Sequence, residues 1–99
     1  MPVVIAQPVN QSATAGDPVT FAVDARCPAG RLQVQWQQLD GSDFIDIAKA
    51  VRERLTFDTS TDDSGARFRA WLSCDGKSEV LTRIVALTVP TPTAALLMP

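Results

Sequence analysis

Apolar and polar positions alternate along most of this chain, and that period of two predicts β-strands. In Val19-Thr20-Phe21-Ala22-Val23-Asp24, the residues Val19, Phe21 and Val23 fall on one face. In Leu32-Gln33-Val34-Gln35-Trp36-Gln37-Gln38, Leu32, Val34 and Trp36 point one way and Gln33, Gln35 and Gln37 the other. Arg54-Leu55-Thr56-Phe57 repeats the pattern with Leu55 and Phe57. Asp62-Asp63-Ser64-Gly65 is a turn that launches Arg67-Phe68-Arg69-Ala70-Trp71-Leu72-Ser73-Cys74, with Phe68, Ala70 and Leu72 inward and Arg67, Arg69 and Trp71 outward.

The punctuation between these runs completes an all-β reading. Val3-Val4-Ile5 before Gln7-Pro8 is a short edge strand, because proline has no N–H to donate and is tolerated at an edge or where a strand changes sheet. Asn10 to Asp17 is polar and ends in a Gly-Asp turn; its Asn10-Gln11-Ser12 triplet has the form of a glycosylation acceptor, a form frequent by chance. Asp40-Gly41-Ser42 is a turn before the short strand Phe44–Ile47, and Asp75-Gly76 is a hairpin signal before a last strand from Val80 through Val89. The count is seven to eight short strands and no helix. The expected core is Val19, Phe21, Val23, Val34, Trp36, Leu55, Phe57, Phe68, Ala70 and Leu72.

Composition narrows the chemistry. Ninety-nine residues suit one domain, whose core must be well packed or stapled at this size. The apolar runs are too short to span a bilayer, and Met1 to Gln7 lacks the basic and apolar regions of a secretory signal. Nine Lys and Arg are scattered and the net charge is −2, so nothing marks a nucleic-acid surface. Without histidine, zinc ligation and the Ser-His or Cys-His nucleophile arrangements have no basis, and Asp40, Asp43 and Asp46 lack the spacing of a calcium loop. The expectation is therefore a non-enzymatic chain with no cofactor and no metal.

The turn at Asp63-Ser64-Gly65 leading to Phe68, together with Trp36 about thirty residues earlier, Gly16-x-x-Val19 and Leu55-x-Phe57, resembles the signature of immunoglobulin-like domains, in the version found in bacteria and bacteriophages. The resemblance covers Val3 to Val89 and implies a Greek-key β-sandwich of antiparallel strands with Trp36 in its core. It makes Val19–Asp24, Leu32–Gln38, Arg67–Cys74 and Val80–Val89 strands B, C, F and G, and puts the usual cysteine positions of B and F at Val23 and Ala70. Cys27 and Cys74 each lie four positions further along (27 against 23, 74 against 70), so the resemblance implies one bridge at the B–C and F–G loop end, with two reduced thiols as the other state. Phe68 stands where the family has a corner tyrosine and lacks its hydroxyl; an ion pair from Arg52 or Arg54 to Asp62 or Asp63 is the expected substitute.

By the same resemblance strand C lies beside strand F, so Gln33, Gln35 and Gln37 join Arg67, Arg69 and Trp71 in a flat aromatic, polar and basic patch, unless strand G covers Trp71 through Leu81 or Ile84. Residues 1–89 are the sandwich and residues 90–99 an extended Pro/Thr tail, whose Leu96, Leu97 and Met98 dock either on their own domain or on a partner. Single domains of this kind with their own start resemble accessory modules of tailed phages. The implied role is a virion decoration, head or tail protein, made in the host cytoplasm. It would attach to a capsid or tail protein and contact a host-surface glycan, and self-association stays open. The alternative is one repeat of an adhesin on a bacterial cell surface.

Overall fold

The alternating runs form strands packed face to face in two layers. The computed structural model describes residues 1–90. Ten strand segments run in chain order: β1 (Val3–Ala6), β2 (Gln11–Ser12), β3 (Pro18–Ala22), β4 (Asp24–Arg26), β5 (Leu32–Asp40), β6 (Asp43–Asp46), β7 (Arg54–Asp58), β8 (Arg67–Cys74), β9 (Lys77–Leu81) and β10 (Val85–Thr88). One layer holds β2, β10, β8, β5 and β6 in that order, with β9 also on β8; the other holds the pairs β1–β4 and β3–β7. Inward residues of both layers make one core in which Phe21, Trp36, Ala70, Leu72 and Leu87 are wholly buried. Trp36 sits between the sheets and donates its indole N–H to the Arg52 carbonyl at 2.8 Å, so its polar end is satisfied inside.

Several elements differ from the sequence expectation, each for a local reason. The second run is broken at Val23, whose N–H goes to the Glu53 carbonyl; β3 pairs with β7 and β4 turns to β1. Beyond buried Pro8 the chain crosses to the other sheet. There β2, read as a polar loop, pairs in parallel with β10, so the sandwich is antiparallel except for this pair. Asn10 assists by accepting the Ala86 N–H at 2.9 Å. Among the described residues a single 3-10 turn, Thr61–Asp63, appears where no helical element was expected.

The last strand is two segments. Thr82 forms the break: its buried hydroxyl accepts the Ala70 N–H at 2.8 Å while its own N–H donates to the Ala70 carbonyl. From this contact to the Phe68/Val85 pair, β8 advances two residues and the edge strand three, which is a β-bulge. The bulge aims Val85 inward and leaves Ile84 half exposed.

At the turn before β8, hydrogen bonds hold what a tyrosine hydroxyl would hold elsewhere. Gly65 N–H donates to Leu87 O, Leu87 N–H to Ala66 O, and Val89 N–H to Ser64 Oγ. Asp63 closes the 3-10 turn by accepting the Ser60 N–H at 2.8 Å, a local use of the carboxylate in place of the expected pairing with an arginine. Phe68 stacks in the core against Phe21, ring centroids 5.0 Å apart. Phe57, expected in the core, is only half buried, because it lies at the open side of the sandwich against Phe68.

Between β6 and β7 the chain turns at Ile47–Ala50, where Ala50 N–H closes on the Ile47 carbonyl at 3.1 Å and Lys49 takes φ 66°. A side chain costs free energy at that dihedral, and Lys49 is exposed, so its side chain adds little packing in return. Lys49→Gly is expected to stabilise the domain by about 0.5–1 kcal/mol, read as a melting temperature a few degrees higher. A lower melting temperature would show that the Lys49 side chain itself holds the turn.

Candidate functional site

The outer face of β5, β8 and β9 carries the site. Strand pairing sets Gln37 beside Arg69, Gln35 beside Trp71, and Gln33 beside Ser73, and on the far side of β8 Trp71 faces Leu81. Trp71 is half buried: Leu81 flanks it without covering it and is itself 47% exposed. Val51, 57% exposed, lines the same shallow recess as Trp71, Gln35 and Leu32. An aromatic ring thus lies among half-exposed aliphatic groups on an otherwise polar sheet face, the composition enriched at the centres of protein interfaces.

Beside this apolar strip, Arg69 is fixed. Its Nε donates to Gln37 Oε1 at 2.8 Å, its guanidinium lies over the Phe44 ring at 4.0 Å from the centroid, and Gln37 Nε2 donates to Asp46 Oδ1 at 2.9 Å. These contacts tie β8 to β5 and β6 in one row and hold a long cationic side chain flat before any partner arrives. Little rotamer freedom is then left to lose on binding.

The six face residues expected from the sequence divide into three groups. Gln37, Arg69 and Trp71 come together as described. Gln33 is exposed at one end, where its Oε1 accepts the Ser73 hydroxyl at 3.1 Å, and Arg67 is exposed at the other, opposite Ala86. Gln35 departs from the expectation of a presented side chain: its amide nitrogen donates to the Trp36 and Ile47 carbonyls, both at 2.8 Å, and braces the Ile47–Ala50 turn. Leu96, Leu97 and Met98 lie outside the described residues. Val51, Phe44 and Asp46 were not anticipated. The two-residue hairpin at Gly41-Ser42 was the available signal, since its register sets Asp46 against Gln37 and Phe44 against Leu39.

Cys27 and Cys74 are joined by a disulfide with Cα atoms 5.7 Å apart, next to the start of β5. Asp75, just past the bridge, accepts the Arg31 N–H at 2.9 Å. Bridge and hydrogen bond fix the loop end of the sandwich from which Gln33 projects.

No family model and no curated protein matches the chain. Solved structures do match it. The Sidekick-1 immunoglobulin domains 1–4 align at 20% identity over 89% of this chain, TM-score 0.69, and domains 1–5 at 20% identity over 89%, TM-score 0.67. This chain spans 24% and 19% of those two chains, about a fifth of their length. A chimeric titin Z1Z2 aligns at 16% identity over 90% of this chain and 93% of its own, TM-score 0.65. One chain of the structure of Dpr11 IG1 bound to DIP-gamma IG+IG2 aligns at 14% identity over 90% of this chain and 50% of its own, TM-score 0.64. The fold is an immunoglobulin-like β-sandwich.

Proposed function

We propose that the chain is a non-enzymatic binding module that takes a protein partner on the outer face of β5, β8 and β9. The observation that carries this reading is the half-buried Trp71 between half-exposed Val51 and Leu81, with Arg69 already held flat by Gln37 and Phe44. Apolar centre and ordered polar rim are what a protein surface of matching shape would cover. A similar fold engages a protein in the complex of Dpr11 IG1 with DIP-gamma. Support for placing the partner in a phage capsid or tail lattice comes from the sequence resemblance, with Asp63-Ser64-Gly65, Phe68 and Trp36 as its residues. On a lattice, many modest contacts suffice for attachment.

The test is co-sedimentation with particles of the phage whose genome encodes the chain. Trp71→Ala is expected to weaken attachment by about 2 kcal/mol or more, roughly 30-fold, while Val3→Ser on the other sheet leaves it unchanged. Equal attachment of Trp71→Ala and the parent would remove this face from the proposal. A chain recovered on bacterial cell surfaces and absent from virions would favour the adhesin reading.

A further inference from the structure

β7 is hydrogen-bonded to β3 and, among the described residues, to no strand on its other side. Val23 N–H donates to Glu53 O and Thr59 N–H to Asp17 O, so residues 53 and 59 turn their backbone groups toward β3. Backbone direction alternates along a strand, so Leu55 and Phe57 do the same, and the N–H and C=O groups of Arg54, Thr56 and Asp58 face outward. An outward row of unpaired backbone groups is a template for one more strand. The side chains of these three residues are exposed, with a cation at one end of the row, a carboxylate at the other and a threonine in the middle. Beside the edge, the groove of about 320 Å³ between the sheets has a mixed lining, Leu55, Phe57 and Phe68 together with Gln38, Lys49 and Asp63. That lining selects no wholly apolar occupant, whereas the order of charges along the edge does select one.

We infer that the free edge of β7 takes the β7 of a second copy of this chain, antiparallel and about a twofold axis at Thr56. In that register Thr56 faces its own copy, Arg54 faces Asp58 of the second copy, and Asp58 faces Arg54 of the second copy. Every outward group is then used, because each facing pair exchanges both of its N–H···O=C bonds. Side chains directly opposite have Cβ atoms about 5.5 Å apart, within reach of an arginine and a carboxylate. On the inner side Leu55 of one copy faces Phe57 of the other, which covers the half-buried Phe57 ring. A parallel copy in register would set arginine against arginine and carboxylate against carboxylate, so the sequence of β7 favours the antiparallel arrangement. β6, also at the end of its sheet, carries Asp43 and Asp46 and no cation, so its own copy would meet it with like charge. The contact is isologous, uses both free edges and stops at a dimer. It lies on the sheet opposite the partner face and is independent of it.

Sedimentation of the full chain over a range of concentrations tests it. The parent is expected to pass from monomer to dimer with a Kd on the order of 10–100 μM, weak as a short edge implies. Arg54→Asp alone and Asp58→Arg alone each put like charges face to face and should weaken the dimer at least about tenfold. An equimolar mixture of these two variants should restore it as a heterodimer, and the double variant Arg54→Asp/Asp58→Arg should restore it on its own, since both recover opposite charges at the facing positions. Amide exchange at Arg54, Thr56 and Asp58 should slow as the dimer forms, while Leu55 and Phe57, bonded to β3, are slow throughout and report an intact fold in every variant. A parent that stays monomeric up to about 1 mM overturns the inference, as do single variants that dimerise like the parent or a mixture that fails to recover. Slow exchange at Arg54, Thr56 and Asp58 in a monomer at every concentration would give the edge to another part of the same chain and also overturn it.

Discussion

Replacing Trp36 by alanine is expected to lower the unfolding free energy by about 3–5 kcal/mol, a large part of what a domain of this size has. Trp36 is wholly buried between the sheets, and its removal leaves a cavity that the surrounding strands cannot close. It also leaves the Arg52 carbonyl without its 2.8 Å donor, which loosens the Ala50–Glu53 approach to β7. Trp36→Phe refills most of the volume but not the hydrogen bond, so it should lose less, about 1–3 kcal/mol. Urea titrations with an unchanged slope would give both values. A Trp36→Ala variant melting within a few degrees of the parent would contradict the packing described here.

Opening the Cys27–Cys74 bridge is the second large effect. The cysteines are 47 positions apart, and releasing a loop of that length in the unfolded chain lowers stability by about 4 kcal/mol on the chain-entropy model. For a domain of this size that corresponds to a melting temperature lower by on the order of 15–30 °C. Thermal unfolding with and without a reductant, and of a variant with both cysteines replaced by alanine, measures it. The two losses should agree; a large loss from reductant with none from the double variant would place the effect in thiol chemistry and not in chain closure.

The parts of the fold carried by local alternation were legible in the sequence. Leu32 to Gln38 and Arg67 to Leu72 each alternate cleanly because one face of the sheet is core and the other is not, and the pairing of β5 with β8 follows that register. What stayed hidden depends on partners distant along the chain. β2 is two polar residues with no periodic signal, and its parallel place beside β10 follows from the crossing after Pro8. The bulge at Thr82 to Val85 arises because a hydroxyl stands in for a ladder carbonyl, which no propensity announces. Gln35 looks identical to Gln33 and Gln37 in the sequence. It differs only because the Ile47–Ala50 turn brings the Ile47 carbonyl within reach of its amide, beside the Trp36 carbonyl of its own strand. Of the site, the row on β5 and β8 was visible, whereas Val51 comes from a loop whose path the sequence does not reveal.

Hydroxyl-radical footprinting of the chain free and bound to its proposed protein partner tests the binding face most directly. Trp71, Leu81 and Val51 should be oxidised in the free domain and shielded in the complex, while Val3 and Ile5, each 52% exposed on β1, remain equally reactive in both. Shielding of Val3 and Ile5 with Trp71 and Leu81 still reactive would contradict the account, because the partner would then sit on the opposite sheet.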